Sequence, residues 1–469
     1  MNRRTILSFA LLAGLAPAAA LAQTKPVRIG VMNDMSSVYS DFQGPGSVLA
    51  AQMAVEDFNK TSSRKAEVIF ADHQNKADVG SAIAGRWYDV EGVDMIVDLP
   101  NSAVALAVAD VSREKNKVVI GSGAGTALLT GAKCSPNTVH WTYDTYANGH
   151  ALARGVLDQG GKTWFFITAD YAFGHDLEKQ ASDEVLASGG RILGSVRHPL
   201  GTSDYSSFLL QAQASGAEVV ALANAGGDTV NTIKQAAEFK LTGKQKVVAL
   251  IFDLQSVPAI GLQTAQGLVG INAMYWDMND DTRAWSAHYQ QRHPKKMMPN
   301  HMQAGVYSAT LHYLKAVDKV GSPLDGRAVV AAMKAMPTED ALFGKGHIRE
   351  DGRKMHPMYL LQVKAPSESK DGWDVFKPVA TIVVSHRTHE SARYGVGLRH
   401  LQKNFLRCVA EGMLSSARYL ATVRRAIRTC CVRSRAAISS SLSGLRASSD
   451  ATICRIISRT VNEDNISIG

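Results

Sequence analysis

Val27-Arg-Ile-Gly-Val-Met32 is a short apolar run that opens onto a Gly/Ser-rich loop. Behind the loop, Val48, Ala51, Met53, Ala54, Val55 and Phe58 fall at helical spacing. This reads as strand, loop, helix. The unit repeats, with strands expected at 67–71, 94–97 and 118–120 and helices at 79–90 and 103–111. It then restarts, with helices at 146–157, 174–187, 208–214 and 229–239. The strands between them fall at 163–167, 192–196, 218–223 and 246–252. Strict alternation argues parallel sheets covered by helices on both faces. Two successive series argue two similar lobes. Residues 268–384 add strands at 268–276, 357–364 and 374–382 and helices at 281–291, 303–319 and 326–335. This last third is expected to return to both lobes, giving several links between them.

The 469 residues are 45% hydrophobic and 20% charged, which suits a globular chain and excludes wholesale disorder. The formal charge of +9 invites a nucleic-acid partner, but its distribution removes that reading. Residues 385–469 hold 14 basic and 5 acidic groups, whereas residues 1–384 hold 37 of each. The body is therefore no polyanion binder by charge. Met1-Asn-Arg-Arg4, the apolar stretch 6–15 and Ala20-Leu-Ala22 are the three parts of a secretory signal. Cleavage is expected after Ala22, placing the mature protein in the periplasm.

Open α/β sheets bind ligands beyond the carboxyl ends of their strands. The loops so placed are 32–46, 98–102 and 121–130 in the first lobe, and 168–174, 223–229 and 252–259 in the second. Facing each other, they would form a cleft that a hinge can shut. Gly121-Ser-Gly-Ala-Gly125 lacks the third glycine spacing of a dinucleotide fingerprint. Its free N–H groups, with the hydroxyls of Ser122 and Thr126, suit a carboxylate better. Gly160-Gly-Lys-Thr163 fails the spacing of a phosphate loop. No paired C-x-x-C, H-E-x-x-H or G-x-S-x-G is present. No cofactor, metal site or enzymatic constellation is expected. Tyr39, Phe42 and Tyr171 sit in loops just past strands and are candidate pocket walls.

Several segments carry a family resemblance. They include Ile29-Gly-Val-Met-Asn-Asp-Met-Ser-Ser37, Ala71-Asp-His-Gln-Asn-Lys76 and Cys134-Ser-Pro-Asn-Thr-Val-His-Trp-Thr-Tyr143. Ala169-Asp-Tyr-Ala-Phe-Gly174, Asn224-Ala-Gly-Gly-Asp228, His301-Met-Gln-Ala-Gly-Val-Tyr307 and Gly352-Arg-Lys-Met-His-Pro357 follow in order. Together they resemble the substrate-binding proteins of bacterial ABC transporters, Leu/Ile/Val-binding type, including the subgroup that binds aromatic acids. The resemblance implies a type I periplasmic binding protein: two Rossmann-like α/β lobes joined by three crossings. Lobe one would comprise 24–143 and 274–354, and lobe two 144–273 and 355–384. It also implies a monomer that closes on a small carboxylate-bearing molecule and presents it to permease subunits in the inner membrane. An aromatic acid and a branched-chain amino acid stand equal as ligands.

By that resemblance, Ser102 and the Ser122-Gly123-Ala124-Gly125-Thr126 run would hold the carboxylate. Tyr171 with Phe173, and Tyr39 with Phe42, would wall the pocket. Gly226 belongs to a lobe-two ligand loop, and Asp228 or Asp253 could meet a ligand ammonium. The tail departs from the family. With 13 Arg, 1 Lys, 13 Ser and four of the five cysteines, residues 385–469 read as a segment translated out of frame. A genuine basic extension is the alternative. The family's late cysteine, the natural partner of Cys134, would then be missing.

Overall fold

The computed structural model describes residues 25–382. The segment 1–22, expected to be a secretory signal, and the tail 385–469 lie outside them. The first apolar run becomes β1 (Val27–Asn33). It is flanked by β2 (Ala66–Asp72) and β3 (Met95–Asp98), then β4 (Val118–Gly121) and β5 (Thr138–His140), in the order β2-β1-β3-β4-β5. All pairs are parallel. Side chains alternate across a strand, so Ile29, Val31, Met95 and Val97 bury on one face. There they meet α1 (Gly44–Thr61) and a late helix, α11 (His301–Val320). Met32, Ile96 and Val119 bury on the other face, against α2 (Ala77–Arg86) and α3 (Ser102–Glu114).

The second sheet contains β6 (Thr163–Ala169), β7 (Arg191–His198), β8 (Val219–Ala223) and β9 (Lys246–Ala249), in the order β7-β6-β8-β9. Its strands are also parallel. Between them run α4 (Thr145–Asp158), which precedes β6, α5 (Ala172–Ala187), α6 (Ser206–Ala214) and α7 (Gly227–Glu238). Short helices α8 (Ser256–Ile260) and α9 (Leu262–Ala265) lead to β10 (Val269–Asn272). Helix α10 (Asp280–Arg292) then precedes α11, and α12 (Gly326–Ala335) follows it. A small antiparallel sheet holds β11 (Thr338–Asp340), β12 (Gly344–Ile348) and β13 (Lys354–Met355). Strand β14 (Met358–Val363) pairs antiparallel with both β10 and β15 (Phe376–Ile382). Two α/β lobes with parallel sheets are thus present, as the resemblance implied.

The expected elements differ from the observed ones mainly at the ends. The strand expected at 246–252 stops at Ala249, because its partner β8 pairs only as far as Leu222. The apolar run 268–276 is strand only to Asn272. Ala273, Met274 and Tyr275 are buried in a crossing instead, so hydrophobicity alone mimics a strand. Strand β5 has three residues, and β11 to β13 are equally short or nearly so. Such lengths leave no readable period.

Three stretches run between the sheets: 141–144 into α4, 273–279 into α10, and 355–357 into β14. Arg353 stitches two of them. Its Nε donates to Asp144 at 2.7 Å, and Nη1 donates to the carbonyl oxygens of Trp141 at 3.0 Å and Lys354 at 2.6 Å. His356 Nε2 adds a 2.9 Å bond to the Thr142 carbonyl. Asp144 is also the N-cap of α4, accepting from Ala147 N–H at 2.7 Å. Burial alone would raise its carboxyl, but the Arg353 charge overrides that and holds it at about 2. Beside it, the fully buried Lys354 ammonium lies over the rings of Trp141 and Phe343, at 4.6 and 4.1 Å. Cys134 is disulfide-bonded, so a partner cysteine is available to it although the family's late cysteine was expected to be missing.

Candidate functional site

The loop after β1 is shaped by one carboxylate. Asp34 accepts from Ser37 N–H at 2.9 Å, Ser37 Oγ at 2.7 Å, Tyr39 N–H at 2.9 Å and Asn75 Nδ2 at 2.8 Å. Burial pushes its pKa up, but these donors outweigh burial and hold it below the ordinary value. The loop is thereby folded back so that Tyr39 and Phe42 face the second lobe. There the Tyr39 hydroxyl meets the Tyr171 hydroxyl. Gly227 N–H donates to the Val38 carbonyl at 3.0 Å. The lobes are closed on one another.

Between them lies a cavity with about 310 Å³ of empty space, part of it open to solvent. Seven of the residues singled out from the sequence line it: Tyr39, Phe42, Gly123, Tyr171, Phe173, Gly226 and Asp253. Five do not: Ser102, Ser122, Ala124, Thr126 and Asp228. The Ser102 hydroxyl accepts from Thr126 N–H at 3.2 Å, so these two satisfy each other behind the wall. Asp228 turns to the Gly201 N–H, at 3.1 Å, and burial pushes its carboxyl up to about 6. Sequence reasoning missed Gln43, Pro100, Tyr143, Ala225, Ile251 and Met302, which complete the lining. Pro100 and Ala225 fell inside recognised strand-end loops. Tyr143 comes from a crossing and Met302 from α11, positions that only the tertiary fold brings to the cleft.

The walls are mostly aromatic and aliphatic, and among the described residues no lysine or arginine lines the cavity. One carboxylate does. Asp253 Oδ1 accepts from His301 Nε2 at 2.8 Å, across the lobes. Ala273 N–H donates to His301 Nδ1 at 3.1 Å, which fixes the hydrogen on Nε2. No described residue donates to Asp253 Oδ2. Among the described residues the Gln43 amide Nε2 finds only the weak acceptor Met302 Sδ, at 3.0 Å.

Behind Gly123 sits a second acid. Asp98 is fully buried and closes β3 in the left-handed region at φ 93°, followed by Leu99 at φ 62°. Non-glycine residues there are strained, and such strain gathers at functional loops. Asn33 Nδ2 donates to Asp98 Oδ2 at 3.1 Å, and the Ser47 and Ser122 hydroxyls lie beside the carboxyl. None of these partners is charged, and burial pushes Asp98 up to about 7. An acid with a raised native pKa stabilises fully below its unfolded value. That contribution is lost as pH rises from about 4 through about 7. Asp98→Asn should therefore gain melting temperature relative to wild type as pH rises across this window, and the gap should level off above it. A gap that stays flat from pH 4 to 8 in parallel melts would contradict the assignment.

Gly226 makes a close backbone approach across the cleft. At φ 63° it favours glycine, and a Cβ there would stand 2.5 Å from the Val38 carbonyl across the cleft. Gly226→Val should leave each lobe folded yet prevent closure. Solute affinity should fall by more than about tenfold, read by calorimetric titration beside a near-normal melting curve.

Two α/β lobes that shut on a small, aromatic-walled cavity through three crossings define a solute-receptor architecture. Residues 26–372 match the family described as periplasmic binding protein, and the chain belongs to that family. It is similar to a crystallised periplasmic binding protein of Burkholderia mallei, with 49% identity over 76% of this chain and 95% of that one, at a TM-score of 0.74. A branched-chain amino acid ABC transporter periplasmic ligand-binding protein of Burkholderia xenovorans LB400 shares 39% identity over 76% and 95%, at 0.67. A solute-binding protein of an ABC transporter from R. palustris, crystallised with 4-hydroxybenzoate, shares the fold at 23% identity over 76% and 97%, with a TM-score of 0.70.

Proposed function

We propose that the protein is the extracytoplasmic receptor of an ABC importer, capturing a small carboxylate-bearing solute by lobe closure and handing it to a membrane permease. In this reading lobe one is 24–143 with 274–354, lobe two is 144–273 with 355–384, and the lobes move about the three crossings. The observation that carries the reading is the cavity itself: aromatic walls, no lysine or arginine among the described lining residues, and one carboxylate oxygen, Asp253 Oδ2, with no donor among the described residues. A solute filling it needs an apolar body and a hydrogen-bond donor directed at Asp253. That donor is the ammonium of an amino acid or the phenol of a hydroxylated aromatic acid. The Burkholderia xenovorans and R. palustris relatives carry those two ligand classes in their descriptions.

At the other end, the solute carboxylate meets neutral donors: the Gln43 amide, the tyrosine hydroxyls and the main chain around Gly123. Charge-assisted bonds to such donors are worth about 1.5–3 kcal/mol each. Two or three, with a buried ring, suffice for a micromolar dissociation constant of about −8 kcal/mol after association costs. The mechanism is capture on one lobe, closure by the other and exclusion of water. A thermal-shift screen of amino acids and aromatic acids on ligand-stripped protein tests it, since a solute bound only by the native state raises the melting temperature. A clear shift with leucine, phenylalanine or a hydroxybenzoate is expected. Shifts only with sugars or polyamines would overturn the reading.

A further inference from the structure

Asp176 lies just past the first turn of α5, in the second lobe, and is buried. Its Oδ2 accepts three hydrogen bonds: from Thr126 Oγ at 2.8 Å, Ala127 N–H at 2.9 Å and Thr145 Oγ at 2.6 Å. Thr126 and Ala127 belong to the first-lobe loop after β4, whereas Thr145 opens α4 just past the first crossing. Oδ1 is held by Gln180 Nε2 at 3.0 Å on the same helix. One carboxylate thus joins both lobes and the end of a crossing. The helix turn that carries it is docked as well. Phe173 packs so close to Gly125 that a Cβ there would stand 2.6 Å from the ring.

The chemistry of this contact is that of an anion site. Two hydroxyls and a main-chain N–H converge on one carboxylate oxygen with no cationic partner among the described residues, the arrangement the 122–126 run suggested for a bound carboxylate. In the closed protein an internal carboxylate has taken those donors. We propose that Asp176 is a latch: by seating in the first lobe's donor set, it holds the two lobes together when no solute is bound. Opening must pull a carboxylate away from three aligned donors, so the empty receptor populates the closed form and solute entry waits on release of the latch. The inference concerns the empty protein and needs no particular ligand. Its failure would leave the receptor reading standing, and the failure of that reading would leave the latch testable.

Amide hydrogen exchange on the ligand-stripped full chain tests it. The reporter is Gly227 N–H, bonded to the Val38 carbonyl at 3.0 Å across the lobes by residues that do not touch Asp176. Exchange through opening follows the open population. In Asp176→Ala, exchange at Gly227 should accelerate by about tenfold or more, because a carboxylate with three donors is lost. Thr126→Val removes one donor at similar shape and should accelerate it less. Asp176→Asn, which keeps an acceptor oxygen without the charge, should fall between wild type and Asp176→Ala. If both Asp176→Ala and Thr126→Val fold and Gly227 exchanges at the wild-type rate, with changes only at 125–128, the contact is local and the latch is wrong. Should Asp176→Ala not fold, Thr126→Val decides by the same reporter.

Discussion

Arg353→Ala should be the most destabilising single change in the hinge, lowering unfolding free energy by about 3–5 kcal/mol. The guanidinium is buried, and removing it strands partners on both sides. Asp144, equally buried, loses its 2.7 Å donor and becomes an unpaired anion at the start of α4. The Trp141 and Lys354 carbonyls lose donors at 3.0 and 2.6 Å. A buried pair is costly to break from one side even where its net worth is small. Arg353→Met with Asp144→Asn should therefore recover a substantial part of the loss that Arg353→Ala shows alone. The pH dependence carries its own sign. A carboxyl held down at about 2 contributes stability above its ordinary value near 3.8 and loses it as pH falls from there toward 2. Denaturant titrations of wild type and Arg353→Ala at pH 7 and pH 3 measure this. The difference between them should shrink at the lower pH, and a difference unchanged by pH would contradict the pairing.

Asp253→Ala should weaken solute binding by roughly 10–150-fold, the equivalent of one charge-assisted hydrogen bond of about 1.5–3 kcal/mol. The carboxylate touches the cavity and holds His301 across the cleft at 2.8 Å. Its loss removes the acceptor for the solute donor and leaves the His301 N–H without its partner. Asp253→Asn separates the two effects. The amide oxygen can still accept from His301 while the negative charge is gone. An ammonium-bearing solute should then lose most of its affinity, whereas a phenolic solute, needing only an acceptor, should lose less. Calorimetric titrations of the three proteins read the difference. Equal affinities in all three would remove Asp253 from the site.

Much of the scaffold was legible because its signals are local. The run at Val27 and the helical spacing after it carry their own periods, and so does each later strand–helix pair. What stayed hidden is what the chain assembles from afar. Arg353 and Asp144 are 209 positions apart, and nothing in either neighbourhood announces the other. Tyr143 reads as part of a motif and Met302 as one apolar position on a helix, yet both face the cavity. The 122–126 run illustrates the converse. Its composition suggests anion binding, and the donors of Thr126 and Ala127 do hold a carboxylate, but the protein's own. Asp176 itself gave no signal, being one acid among several on an amphipathic helix.

The central claim is a cavity that grips a carboxylate at one end and a hydrogen-bond donor at the other. Titration of ligand-stripped protein with benzoate, 4-hydroxybenzoate, leucine and phenylalanine addresses it in one experiment. At least one of the three donor-bearing solutes should bind at micromolar concentration, and benzoate, which has nothing to offer Asp253, at least about tenfold more weakly. Benzoate binding as tightly as every donor-bearing solute, or none of the four binding at all, would contradict the account.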